Sequence, residues 1–274
     1  MRIRIDHATT YAYDRAARFI VQNLRLTPRS SEAQTVRHWQ VETDVDARLR
    51  KSEDAFGNIV HALYTEQPTR TLTIRVTGEV TTTDTAGVVP PDQERLSPLV
   101  FLRDTELTKR DKLISVFASE FLAHPPLDRM HRLMAGIHRS VAFEVGVTTP
   151  THTASEVLAL GRGVCQDHAH VFIACARHMG VPARYVSGHL ARRDRADQEA
   201  AHAWAEAWIE GLGWVGFDPA NGICPTERYV RIATGLDYLG AAPVRGASYG
   251  GSGETLAVKL VVRDADMQQG QQQA

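Results

Sequence analysis

Cysteine is scarce in this sequence. The 274 residues include three, an odd number and too few for a disulfide framework. An excess of one charge is also missing. The 31 Lys and Arg residues face 32 Asp and Glu, so nothing global favours nucleic acid or an anionic membrane as partner. Arg192, Arg193 and Arg195 cluster, but Asp194 and Asp197 interrupt them, and the stretch reads as a solvated loop. No apolar run approaches the ~20 residues of a membrane helix. The opening Met1-Arg-Ile-Arg-Ile-Asp alternates as a strand does and lacks the pattern of a signal peptide. We therefore expect a cytoplasmic protein, in a compartment that keeps a thiol free. Metal motifs are lacking as well. Cys165, Asp167, His168, His170 and Cys175 are ligand types, yet neither C-x-x-C nor H-E-x-x-H occurs. On one helix His168 and His170 would point to different sides. No metal is expected; Cys175 reads as core and His170 as a buried, hydrogen-bonded side chain.

One stretch stands out among what is present. Gly161-Arg-Gly-Val-Cys-Gln-Asp-His-Ala-His170 leads through small residues into Cys165. A dense apolar run follows and stops at Gly180 and Pro182, which reads as one buried helix. Cys165 then stands at the helix N-terminus, where the backbone N–H groups favour a thiolate. Asp167 falls in the first turn, where a carboxylate suits the dipole.

Two later segments supply partners for a nucleophilic thiol. His202-Ala-Trp-Ala-Glu-Ala-Trp-Ile209 alternates strictly, so Ala203, Ala205 and Ala207 share one face and leave room for a helix. Gly213-Trp-Val-Gly-Phe-Asp-Pro219 reads as a second short strand, with Glu210-Gly-Leu-Gly213 as the turn between them. Such a hairpin makes neighbours of His202 and Asp218. Cysteine, histidine and aspartate would then serve as nucleophile, base and orienter of the base. His189 competes for the role of base but has no aspartate placed to orient it.

These residues resemble the bacterial transglutaminase-like superfamily, a branch of the papain-like cysteine enzymes. The three motifs occur in the family's order, and the similarity extends to Asp54-Ala-Phe-Gly-Asn58, Asp237-Tyr238 and Pro243-Val-Arg-Gly246. The resemblance implies an α+β fold: an N-terminal β-sandwich, then a papain-like core with a helix packed on an antiparallel sheet. It assigns the catalytic roles to Cys165, His202 and Asp218. His168, Trp204 and Trp214 are candidate substrate contacts, the tryptophans also having ordinary packing roles. At Leu236, relatives often carry arginine.

Along the chain, residues 1–83 read as short strands between turns, hence the sandwich. Asp54 to Asn58 reads as a hairpin turn. Residues 84–98 carry Gly87, Pro90, Pro91 and Pro98 and suit a linker. Residues 99–266 make the catalytic domain, and 267–274, rich in glutamine, a disordered tail. The chemistry implied is acyl transfer through a Cys165 thioester. Hydrolysis of a peptide or isopeptide bond leads; a glutamine-to-amine transferase and a non-catalytic binding module are the alternatives. No cofactor is required, and no D-x-[DN]-x-[DN]-G calcium loop occurs. The expected partner is a peptide or protein substrate, and the oligomeric state stays open.

Overall fold

A computed structural model describes residues 1–90, 96–198 and 200–265. The first third of the chain forms β1 (Arg2–Ala17), β2 (Phe19–Thr27), β3 (Gln34–Thr43), β4 (Arg48–Glu53), β5 (Ile59–Thr65) and β6 (Thr69–Thr82). Strand β1 is one continuous strand of 16 residues and not one of the short strands expected. Its alternation serves two cores. Tyr11 and Tyr13 face the sandwich interior, while Ile3 and Ile5 join the larger cluster around the helices.

The middle of the chain is helical. It contains α1 (Lys112–Ser119), α2 (Pro126–Ser140), a short β7 (Ala142–Phe143), α3 (Ala154–Leu160), β8 (Arg162–Gly163) and α4 (Cys165–His178). Then follow β9 (Ala183–Leu190), β10 (Asp197–Gln198), β11 (His202–Ile209), β12 (Gly213–Phe217) and β13 (Tyr229–Gly235). The described chain closes with α5 (Tyr238–Ala241), β14 (Val244–Tyr249) and β15 (Thr255–Asp264). Among the described residues no helix is long and apolar enough to cross a membrane.

The core sheet has the antiparallel order β12-β11-β9-β13. Helix α4 lies on it, and Ala203, Ala205 and Ala207 share one cluster with Val171, Phe172 and Ile173. The alanines have no bulk to hold the helix off. Each large apolar side chain buried at this contact contributes about 1.5–3 kcal/mol. The far end of α4 is held by Arg177. Its guanidinium, wholly buried, donates to the carbonyls of Phe101, Ala183 and Leu236 and to Thr108 Oγ1. The fold is thus the expected α+β arrangement.

Strand pairing differs from the expected span of the second unit. In the five-stranded sheet β10-β15-β1-β6-β3, β15 pairs with β1; in β14-β2-β5-β4, β14 pairs with β2. Residues 244–264 therefore complete the sandwich and do not extend the 99–266 unit. Of the 84–98 stretch, residues 87–89 run along β12, where Gly216 N–H donates to Gly87 O and Val89 N–H to Trp214 O, both at 2.8 Å. The other edge of the core sheet, β13, meets two side-chain amides of the sandwich. Gln34 Nε2 donates to Arg231 O (2.8 Å) and its Oε1 accepts from Arg231 N–H (2.9 Å). Asn58 does the same with Thr234, at 2.7 and 2.8 Å. The expected tail 267–274 lies outside the described residues.

Candidate active site

The lead into Cys165 is shaped by two glycines. Gly161 ends α3 in the left-handed region, φ 67°, which glycine enters without penalty. Gly163 admits the Asp167 carboxylate: a Cβ there would stand 2.6 Å from Asp167 Oδ2. That carboxylate accepts from Val164 N–H (2.8 Å) and from the Thr148 hydroxyl (2.6 Å), so Asp167 caps the helix as its position in the first turn implies. Residues 142–144 pair beside this lead, Ala142 N–H to Gly161 O and Glu144 N–H to Gly163 O. Cys165 then opens α4, half-buried, whereas Cys175 is wholly buried. Burial pushes the thiols of Cys175 and Cys224 up.

His202 starts β11, where β12 no longer runs beside it. The hairpin returns Asp218 to this point, and His202 Nε2 lies 2.6 Å from Asp218 Oδ2. Asp218 is fully buried, and five hydrogen bonds satisfy it. Oδ1 accepts from the N–H groups of Ala220 (3.0 Å) and Asn221 (3.2 Å). Oδ2 accepts, besides His202, from Asn221 Nδ2 (2.7 Å) and the Tyr229 hydroxyl (2.8 Å). Burial works against the charged carboxylate, but the His202 charge and these donors hold Asp218 below the usual range. Burial likewise opposes the imidazolium. The charge and hydrogen bond of Asp218, with a hydrogen bond and the charge of Cys165, override it and push His202 up to about 10. A histidine held charged between a carboxylate and a thiol can later release a proton to a leaving group.

The three candidate substrate contacts find other surroundings. His168 is 1% exposed, and its ring nitrogens each lie 2.9 Å from a carbonyl, of Val164 and Val141. It ties the start of α4 to the end of α2. Trp204, 2% exposed, lies near-parallel to the His202 ring with centroids 6.3 Å apart and backs that ring. Trp214, 3% exposed, carries the Arg184 guanidinium 3.9 Å above its ring. Arg184 in turn pairs with the buried Glu206, as does Arg231. All three side chains are thus almost wholly buried. His189 is buried against His7, ring centroids 5.6 Å apart, and among the described residues no carboxylate pairs with it as Asp218 does with His202. His170 is buried and accepts from Tyr238 N–H (3.1 Å). At Leu236 the backbone, not the side chain, meets a guanidinium, that of Arg177 (2.6 Å).

Asn221 and Tyr229 were not among the expected site residues. The aromatic and β-branched residues of Tyr229-Val-Arg-Ile-Ala-Thr234 are a signal for a strand, and a strand following Asp218 was the available clue.

Comparison with known proteins agrees with this architecture. Residues 117–219 match the family described as the transglutaminase-like superfamily, and residues 3–81 the bacterial transglutaminase-like N-terminal region. An uncharacterized protein of Mycobacterium leprae is 30% identical over 93% of this chain and 95% of its own length. A crystal structure described as that of "a Putative Cysteine Protease from Cytophaga hutchinsonii" superposes with TM-score 0.77 at 24% identity, covering 97% of this chain and 92% of that one. A protein-glutamine gamma-glutamyltransferase of Pseudomonas aeruginosa is 31% identical over 32% of this chain and 15% of its own length.

Proposed function

For a chain that belongs to the transglutaminase-like superfamily, we propose a thiol-dependent acyl-transfer enzyme that hydrolyses peptide or isopeptide amide bonds, with Cys165, His202 and Asp218 as its triad. One observation carries the reading: His202 is held between a buried carboxylate at 2.6 Å and a thiol at a helix N-terminus. The Cys165 thiolate attacks the amide carbonyl and forms a C–S bond. The first N–H groups of α4 have no partner within the helix, so the Cys165 N–H suits the developing oxyanion. The imidazolium gives its proton to the leaving amine as the C–N bond breaks. Neutral His202 then takes a proton from water, whose oxygen attacks the thioester. The C–S bond breaks, the acid leaves, and the thiolate–imidazolium pair is restored. Asp218 keeps the Nε2 proton in place and stabilises the cation.

Water, not an amine, is the acceptor in this reading. An amine must compete with water at about 55 M, which calls for a sealed channel beside the thioester. Trp204 and Trp214, the tryptophans best placed in sequence to wall one, are both committed to packing. The test supplies an amide substrate with a millimolar primary amine and follows both products by mass spectrometry. Acid should dominate and vanish in Cys165→Ala. Predominant amine incorporation overturns hydrolysis in favour of transfer, and turnover surviving in Cys165→Ala overturns the thioester.

A further inference from the structure

The proposed reaction leaves one buried polar group at the site without a part. Tyr229, the first residue of β13, is 6% exposed. Its ring stands edge-on to Trp204 (5.4 Å, 85°) and tilted against His202 (5.8 Å, 57°). Its hydroxyl donates to Asp218 Oδ2 at 2.8 Å, the oxygen that also receives His202 Nε2–H. The other side chain on that oxygen, Asn221, is exposed, so water can compete for its bond. Water cannot readily reach the Tyr229 hydroxyl. Burial, then the Asp218 charge, pushes the phenol up, so the group stays a donor wherever the triad is charged.

The strand that carries Tyr229 is itself fixed. Gln34 pairs with the backbone of Arg231, and Asn58 with that of Thr234. Arg231 also pairs through its side chain with Glu206, which lies on β11 like His202. The place of β13 relative to β11, across the intervening β9, and so the distance from the Tyr229 hydroxyl to Asp218, is set from both sides.

Resting on the triad proposed above, we infer that Tyr229 is a positioning residue: its hydroxyl fixes Asp218 Oδ2 so that the carboxylate holds His202 in the orientation that serves Cys165. A terminal carboxylate torsion is broad and roughly two-fold when left alone. The backbone donors on Oδ1 hold one end, and Tyr229 holds the other from within the protein.

The test is a double-mutant cycle read by alkylation of Cys165 with iodoacetamide at about pH 6, the labelled peptide being mapped by mass spectrometry. Tyr229→Phe keeps the ring against Trp204 and His202 and removes the hydroxyl alone. It should slow Cys165 alkylation by about three- to tenfold in the native background and by less than about 1.5-fold in Asp218→Asn, because the two act as one unit. Equal slowing in both backgrounds, or none in the native one, overturns the role. A proton NMR signal gives a second readout that loss of packing does not move. The low-field resonance of His202 Nε2–H should shift in Tyr229→Phe, and an unmoved resonance overturns the role as well. Cys165→Ala separates this inference from the reading beneath it. Turnover surviving there removes the reaction itself, whereas its loss there with additive behaviour in the cycle removes only the part given to Tyr229.

Discussion

Asp218→Asn perturbs the site most sharply, because the carboxylate takes five hydrogen bonds and an amide has one acceptor oxygen. If that oxygen stays with the Ala220 and Asn221 N–H groups, the new NH2 faces His202 Nε2, Asn221 Nδ2 and the Tyr229 hydroxyl. Tyr229 can rotate its hydroxyl to accept. The Asn221 amide nitrogen cannot. His202 can accept only by moving its proton to the other ring nitrogen, the one left to face Cys165. Such a ring cannot take a proton from that side, so kcat should fall by roughly 10²–10⁴ with the fold retained. Stability carries the second signature. His202 is raised from 6.5 to about 10 in the native protein. A raised value means that its contribution is complete below about pH 6.5 and is lost as pH climbs through about 10. The contribution is on the order of 3–5 kcal/mol. Urea unfolding at intervals from about pH 6 to 10 should show the native protein losing stability steadily and Asp218→Asn staying nearly flat. Equal slopes, or unchanged turnover in the variant, would refute Asp218 as the group that keeps His202 charged and oriented.

Three further outcomes follow from the geometry. At about pH 6, iodoacetamide should label Cys165 at least about tenfold faster than Cys175 or Cys224, whose thiols burial pushes up; equal labelling of the three in the folded protein would count against the site. Gly163→Ala sets a Cβ 2.6 Å from Asp167 Oδ2, and should cost about 1–3 kcal/mol by chemical denaturation while slowing Cys165 labelling, since the displaced carboxylate is the cap of α4. Asn58→Ala leaves the N–H and C=O of Thr234 without their side-chain partners, and should cost about 2–3 kcal/mol by chemical denaturation; Asn58→Asp, whose new carboxylate oxygen would face Asp54 Oδ2 where the amide now donates at 3.0 Å, should not recover the loss.

Much of the site could be read from residue patterns because its parts are local. The apolar run after Cys165, the alanines of β11 and the short turn to β12 each depend on neighbours within one or two turns of chain. The helix start, the hairpin and the His202–Asp218 contact all emerged from those patterns. What escaped notice depends on partners far away. Strand β13 carries a local strand signal, but the Arg231 charge within it makes sense only opposite Glu206. Strand β4, Arg-Leu-Arg-Lys-Ser-Glu, is exposed throughout and so shows no apolar alternation. The Asp54–Asn58 turn was legible as a turn, with Asp54 accepting from Phe56 and Asn58 N–H at 3.0 Å each. That Asn58 also grips Thr234, 176 residues on, no local pattern encodes. His168 shows the reverse case. Its place three residues after Cys165 was plain, but the Val141 carbonyl that turns its ring inward lies 27 residues earlier.

The pairing of β14 with β2 and β15 with β1 sets an order on biosynthesis. Strands β1 and β2 leave the ribosome long before β14 and β15, yet each keeps an open hydrogen-bonding edge until residues 244–264 have been translated. The sandwich is begun before helix α4 and its sheet and completed only after them. An unpaired edge is a template for another chain, and pairing across so long a separation is slow. A nascent chain stalled before residue 244 should thus be a target for chaperones. For the same reason a fragment of residues 1–83 should associate and not fold alone. Calorimetry should show a cooperative unfolding transition for the whole chain and none for a fragment from Leu96 onward, in which β14 and β15 are deprived of their partners and β13 of Gln34 and Asn58.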